Sequence, residues 1–250
     1  IDTLVNKKVN IWNGYEFSEV VPIETGQNQD ILDITFSNGM SVSCTPYHKF
    51  ILQDGKRIEA EKLKVGDNLA KWNYPVIETT IDKKVKDKEM YTRGFLSGDG
   101  TISQGHRKRS IIYLYKAKKH LKDYIDYKEY YDVKNSDRFD LELDHNMYDS
   151  KEFVPGVEYS IKERLNWLAG LIDSDGTRND IGGSVGISSI HLNFLKNVQL
   201  MINTLGCHSS VNLDRKECQK SMPDGNGRQK KYHCKNSYRL IISSFNVDKL

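Results

Sequence analysis

The chain has 250 residues, 38% of them hydrophobic, with four cysteines and a net charge of +3. No run approaches the roughly 18 apolar residues of a membrane span, no charged segment with an apolar core opens the chain, and Cys44, Cys207, Cys218 and Cys234 are scattered rather than set in a disulfide framework. The expectation is a monomer in a reducing intracellular compartment, cytoplasmic or nuclear, with no membrane partner. The length allows two domains, and the charge is uneven between them. Residues 1–80 hold 8 Lys and Arg against 11 Asp and Glu, and the remainder 29 against 23, so a polyanionic partner belongs with the second part.

In the first ~75 residues, short β-rich runs at Val9–Trp12, Glu19–Val21, Ile31–Phe36, Ser41–Cys44 and Lys49–Leu52 are separated by Asn13-Gly14, Asn38-Gly39 and Asp54-Gly55. Such dipeptides between alternating runs predict hairpins. Within this all-β unit lies Cys44-Thr-Pro-Tyr-His-Lys-Phe50. Thr45 and His48 could orient a backbone amide, the hydroxyl by hydrogen bonding and the imidazole by protonating a departing nitrogen; a purely structural role at a strand end is the alternative. The array from Asn38 to Phe50, followed by Leu63-Lys-Val-Gly-Asp-Asn-Leu69, resembles the N-terminal splicing half of inteins, which share the β-rich Hint fold. That resemblance implies that Asp2–Val5 follows an intein's first residue and that Thr45 and His48 assist the first N-to-S acyl shift. Inteins begin with Cys or Ser and end on His-Asn, whereas this chain begins with Ile1 and ends with Asp248-Lys-Leu250. The expectation is therefore an incomplete splicing module that does not splice as given, with host exteins as its partners in a full precursor.

A connector rich in charge, Asn73 to Lys88, sets the boundary near residue 80, giving domains 1–79 and 80–250. The second domain holds two similar runs, Thr92-Arg-Gly-Phe-Leu-Ser-Gly-Asp-Gly100 and Leu168-Ala-Gly-Leu-Ile-Asp-Ser-Asp-Gly176. Small residues four apart, Gly94 and Gly98 in one and Gly170 and Ser174 in the other, share a helix face, so two helices packed on each other are expected. If each stops at its glycine, the usual helix terminator, Asp99 and Asp175 meet where two helix dipoles already place negative charge. A divalent cation held by two carboxylates, waters and substrate phosphates would relieve that repulsion, as Mg²⁺ commonly does, and would serve phosphodiester cleavage. A capped pair of packed helices is the alternative for either run alone.

Together the runs resemble the signature helices of the LAGLIDADG homing endonucleases, the second departing from the name at Ser174. The resemblance implies that the last acid of each motif, Asp99 and Asp175, binds the catalytic metal, with the neighbouring Gly98 and Ser174 at the metal site, and that Asp173, opposite Ser97, does not. It also implies two repeats, about 88–160 and 161–250, of αββαββα type, whose antiparallel sheets form a saddle over DNA. Ser110–Tyr115, Arg138–Leu143, Ser184–Ser188, Ser209–Leu213 and Ser237–Ser243 alternate like strands, and Lys116–Tyr127 and His191–Leu205 have helical spacing. The whole reads as α+β: a partial Hint-like domain plus a pseudosymmetric endonuclease.

Arg, Lys and Asn side chains on a ribbon can read base edges or contact phosphates. Candidate DNA contacts are Arg107, Lys108, Arg109, Tyr113 and Tyr115 in the first repeat, and Arg178, Asn179, Arg215, Lys216, Arg228, Lys230, Lys231 and Arg239 in the second. Ser150-Lys-Glu-Phe-Val-Pro155 resembles the family's Lys-x-apolar-Pro segment, which implies that Lys151 assists catalysis at the metal site; the second repeat's lysine stays open among Lys230, Lys231 and Lys235. Cys207, His208, Cys218, His233 and Cys234 lack paired zinc-ligand spacing and are expected to be ordinary thiols and imidazoles. The expected function is Mg²⁺-dependent double-strand cleavage of a long asymmetric DNA site. A splicing element with an inactive endonuclease, or a non-cleaving maturase-like binder, are the other readings; the intact acids disfavour the first and the Thr45–His48 segment the second.

Overall fold

Turn chemistry and alternation build the first unit. The computed structural model describes residues 2–71, 73–79, 85–103, 108–223 and 228–250, and the chain divides into Ile1–Val76 and Ile77–Leu250. In the first unit β1 (Val9–Trp12) pairs with β2 (Phe17–Val20), β3 (Leu32–Thr35) with β4 (Ser41–Cys44), and β5 (Lys49–Ile51) with β6 (Arg57–Glu59), all antiparallel. Gly14, Gly39 and Gly55 take φ of 104°, 83° and 83° at the turns, a region open to glycine. The preceding Asn13, Asn38 and Asp54 each accept a backbone N–H of their own turn, so the expected dipeptides act by the expected mechanism.

Three two-stranded ribbons bury little. Among the described residues of this unit only Cys44 and Ala60 are buried hydrophobics, while Tyr15, Ile23 and Val65 are largely exposed.

The second unit opens with α1 (Asp87–Asp99), which runs into β7 (Gly100–Ser103) and β8 (Arg109–Tyr115). A 3₁₀ segment at Lys116–Tyr124 follows, then β9 (Glu129–Val133) and β10 (Arg138–Leu143). α2 (Ile161–Asp175) leads to β11 (Gly176–Arg178), β12 (Val185–Ser189), α3 (Leu192–Asn203), β13 (Ser209–Arg215), β14 (Cys218–Pro223), β15 (Gln229–Cys234), β16 (Ser237–Ile242) and the short α4 (Ser244–Val247). The sheets have orders β7-β8-β10-β9 and β11-β12-β16-β13, with β14-β15 a separate ribbon. Strand for strand the two four-stranded orders agree, the ribbon being inserted between β13 and β16 where the first repeat has only the turn at Lys134–Ser136.

Each repeat has its own core. Phe95, Ile112, Leu114, Leu141 and Tyr148 fill the first; Trp167, Leu171, Ile187, Leu195, Val198 and Leu240 fill the second. α3 forms as its spacing predicts, but Lys116–Tyr124 is 3₁₀ rather than α. Lys116 enters it with φ of 44°, which interrupts α propagation, and the three-residue period turns Lys118 and Leu121 inward together.

Ile77 to Thr79 belong with the second unit, three residues before the expected boundary. The Ile77 N–H donates to Thr204 O (2.9 Å), and the fully buried Arg164 donates to the carbonyls of Ile77 and Thr204. Glu163 completes a capping box with Ser160 at the start of α2 and also accepts the Val85 N–H at 2.7 Å. No described helix is long and apolar enough to cross a membrane.

Candidate active site

The two motif helices meet through their small residues. A side chain at Gly94 would overlap the Trp167 carbonyl, and one at Gly170 the Tyr91 carbonyl. At Gly98 a Cβ would strike the Ser174 side chain and approach Asp175 Cγ to 3.0 Å. α1 and α2 are thus in backbone-level contact along the stripe that the four-residue spacing predicts. The contact brings Asp99 and Asp175 to one end of the pair. Tyr91 donates to Asp173 across the helices (2.7 Å), so Asp173 ties the two helices together.

The glycines end the helices by a different route from the expected one. Gly100 (φ −79°, ψ 159°) and Gly176 (φ −72°, ψ 147°) are extended, not left-handed. Each begins a strand directly, and each would press a Cβ into the carbonyl of the preceding turn, that of Leu96 or Ile172. Glycine is required there by close approach, and the abrupt switch to a strand leaves Asp99 and Asp175 at the helix termini.

The last-turn carbonyls of a helix have no partner within it, and two of them are met by lysines. Lys151 Nζ donates to Gly98 O at 2.8 Å, and Lys118 Nζ to Ser174 O at 2.6 Å and to Asp99 Oδ2 at 2.5 Å. Each ammonium therefore sits on the carbonyl just before a motif aspartate. Burial lowers the Lys151 ammonium from its ordinary range, with Asp175 and Asp99 opposing that shift. Asp175 keeps solvent access, yet the protein atoms around it and then the Asp99 charge push its carboxyl up, with Lys151 and Lys118 opposing. Beside Asp175 opens a pocket of about 220 Å³, lined by Ser97, Lys151, Glu152, Ser188 and His191 among others.

The donor set fits a hard cation. Two carboxylates and two main-chain carbonyls converge, all oxygen, and two ammonium groups already lie against them. Among the described residues no three His, Cys, Asp or Glu side chains gather, so a bound Mg²⁺ would complete its shell with water and phosphate oxygens. The same finding leaves the zinc reading of Cys207, His208, Cys218, His233 and Cys234 without a cluster, and all four thiols are free.

The remaining expected residues are dispersed. Arg109, Tyr113 and Tyr115 lie on the outward face of β8, Arg109 paired with Glu142 (2.6 Å). Arg107 lies outside the described residues, and Lys108 just precedes β8. Arg239 faces outward on β16, whereas Arg178 stands opposite Val185, on the side of the sheet that carries the core. Asn179 accepts the Ile181 N–H in its own turn. Arg215 ends β13 at a register shift, Lys216 follows it, Arg228 precedes β15, and Lys230 and Lys231 lie on β15. In the first unit Thr45 and His48 share one turn, joined by His48 N–H to Thr45 O (3.0 Å), and the exposed His48 ring packs edge-on against Phe50 at 5.3 Å. The second lysine at the helix ends is Lys118, whereas Lys230 and Lys231 sit on β15 and Lys235 just beyond it. Lys118 lies in a run of four basic residues and one alanine that offers no local cue; only the fold carries it to Asp99.

Comparison with known proteins gives relatives along nearly the whole chain. The ribonucleoside-diphosphate reductase large subunit of Invertebrate iridescent virus 6 is 34% identical over 98% of this chain and 27% of that protein. The ribonucleoside-diphosphate reductase NrdEB subunit alpha of Bacillus subtilis is 24% identical over 95% of this chain and 25% of its own length. The ATP-dependent DNA helicase Hel308 of Methanocaldococcus jannaschii is 24% identical over 91% and 21%. The chain thus spans about a quarter of the length of the curated relatives it matches. Among solved structures, the homing endonuclease I-DmoI in complex with DNA and Mn covers 65% of this chain and 93% of its own at 17% identity and a TM-score of 0.41. Full-length WhiA from Thermotoga maritima covers 65% and 53% at 13% identity and a TM-score of 0.40. Residues 162–250, which contain the second motif helix and everything after it, match the LAGLIDADG-like domain.

Proposed function

We propose that the second unit is a site-specific DNA endonuclease that makes Mg²⁺-dependent double-strand breaks in a long asymmetric target, and that the first unit is the N-terminal part of a Hint-type splicing module. The observation that carries the endonuclease is the convergence of Asp99, Asp175, Gly98 O, Ser174 O, Lys118 and Lys151 at the joint end of two helices. The relatives support an insertion. A reductase subunit and a DNA helicase share no reaction, yet each holds a segment like this chain within a quarter or less of its length. An intein-like element carried in different host proteins accounts for that pattern. The three hairpins with few buried side chains fit a β module completed elsewhere in a precursor, in which Thr45 and His48 would assist the first acyl shift.

In this reading Asp99 and Asp175, with the Gly98 and Ser174 carbonyls, hold Mg²⁺. The metal supplies Lewis-acid activation of water and neutralises phosphate charge. Lys118 and Lys151, already at the carbonyls, turn toward the phosphate and stabilise the charge that develops as the attacking oxygen bonds to phosphorus and the leaving oxygen departs. Burial primes Lys151 for this by lowering the penalty for sharing its proton.

The test is cleavage of a strand-labelled duplex carrying the joined coding sequence of the host gene, in Mg²⁺ against EDTA. Wild type is expected to cut both strands, and Asp99→Asn or Asp175→Asn to slow cleavage by more than about 100-fold. Undiminished cutting by Asp175→Asn overturns the metal assignment. Binding without cutting by wild type would mark a maturase-like binder or a splicing element with an inactive nuclease.

A further inference from the structure

The ribbon β14–β15 brings together two thiols that neither core uses. Register sets Cys218 directly opposite Cys234 on the first rung of the ribbon. Residues facing each other across an antiparallel pair have Cα atoms about 4.5 or 5.5 Å apart, inside the span of about 4.4 to 6.8 Å that a disulfide bridges. Both thiols are free and only half-buried, so a small reagent can reach them. Cys234 Sγ donates to Tyr232 O at 3.9 Å, a long contact from a weak donor, easily given up.

The other two cysteines are placed differently. Cys44 is buried and faces Leu32 across its strand pair. Cys207 is fully buried, with its thiol on Asn246 O at 3.6 Å. Burial pushes both of these thiols up, helped at Cys44 by the Asp33 charge, which keeps them protonated and poorly nucleophilic.

The facing pair also occupies a mechanical position. The rung Arg215–Ser237 closes the pairing of β13 with β16. The Glu217 N–H then donates to Asn236 Oδ1 at 2.7 Å, and the next rung is Cys218–Cys234. A side-chain contact thus interrupts the ladder at the base of a ribbon that belongs to no larger sheet. A two-stranded hairpin alone is marginal in water. A covalent link on its first rung closes a loop of 17 residues, Cys218 through Cys234, and so removes freedom from its open states.

We infer that Cys218 and Cys234 are a reversible thiol–disulfide switch that fastens the base of the β14–β15 ribbon when oxidised. The oxidant is a small-molecule disulfide of the glutathione class. One cysteine thiolate attacks a sulfur of that disulfide and expels a small thiolate; the facing cysteine, deprotonated in turn, attacks the mixed disulfide and expels the second. Two protein thiols become one S–S bond with loss of two electrons and two protons, and the small disulfide becomes two thiols. Lys220 stands next along the same face, where it attracts the carboxylates of such a reagent. A bond within reach of solvent is of the labile kind that thiols reduce again. The inference is independent of the endonuclease reading.

The test equilibrates the full chain in glutathione buffers of rising disulfide content, followed by acid quenching, alkylation and tryptic mass spectrometry. Peptide 217–220 joined to peptide 232–235 is expected to accumulate and to disappear again with dithiothreitol. Amide hydrogen exchange across β14 and β15 should slow by about threefold or more on oxidation. In Cys218→Ser the exchange should not respond to oxidation, and Cys234 should carry only a glutathione adduct. Adducts on both cysteines without a link, or a link to Cys44, Cys207 or a second chain, overturns the switch. A link that leaves amide exchange unchanged overturns it as well.

Discussion

The two repeats of the second unit share a strand order and a motif helix but solve the end of that helix differently. In the first, the strand pair leads into a 3₁₀ segment that returns Lys118 to Asp99. In the second, it leads into the full helix α3. Gly100 pairs with Ile112 and Gly176 with Ile187, so the residue matching Lys118, six beyond Ile112, is Asn193, six beyond Ile187. Asp99 has an ion-pair partner at 2.5 Å, and Asp175 is left with the more distant fields of Lys151 and Lys118. Shared topology thus fixes where the acids stand, while the connection after the second strand decides how each is neutralised.

The deepest common feature is the backbone contact of the helices, and breaking it has the largest expected effect. Gly94→Ala and Gly170→Ala each drive a methyl into a facing main-chain carbonyl that cannot swing aside. Each is expected to destabilise the second unit by about 3 kcal/mol or more, at the upper end of overpacking, measured by urea unfolding. Gly98→Ala meets the movable Ser174 side chain first and should cost about 1 kcal/mol. Equal losses at all three positions would mean that the helices do not meet by these residues.

Removing the difference in neutralisation comes next. Lys118→Asn copies the second repeat into the first and is expected to slow nicking of one strand by about 10- to 100-fold, with the other strand changed less than threefold. Strand-specific end labels read this directly, and equal slowing of both strands would show that Lys118 serves the two acids alike.

The smallest effect is on stability. Crowding by protein atoms and the Asp99 charge raise the Asp175 carboxyl, so the folded chain holds that proton more tightly than the unfolded one. The associated stability is fully present below the unfolded value of about 3.9 and is lost as pH rises through the higher folded value. At neutral pH the ionised carboxylate is therefore a net cost. Asp175→Asn should raise the melting temperature at pH 7 by about 2 °C, the gain being small because solvent screens an accessible group. It should fade toward pH 3.5, as differential scanning fluorimetry would show.

Much of this was legible in the sequence because it is local. Asn-Gly and Asp-Gly turns fix three hairpins, alternation finds β8, β10, β12, β13 and β16, and small residues four apart mark the helix contact. Strands β6, β7 and β11 escaped as runs of three or four residues, and β9, β14 and β15 because the acids of Glu129–Val133 and the lysines of Cys218–Pro223 and Gln229–Cys234 leave no buried face to enforce alternation. The glycines after each motif were read as stops, and they are, but through crowding against Leu96 and Ile172 rather than a left-handed φ.

By itself the sequence determined the helix pair, the position of the two aspartates and the concentration of positive charge in the second unit, since each depends on residue spacing or count. Only the tertiary structure decided that Lys118 joins Lys151 at the helix ends, that Arg109 and Arg138 are neutralised at home, and that the basic ribbon stands apart from the core. Those outcomes depend on which side chains long-range strand pairing brings within a few ångströms, and no local pattern carries that distance.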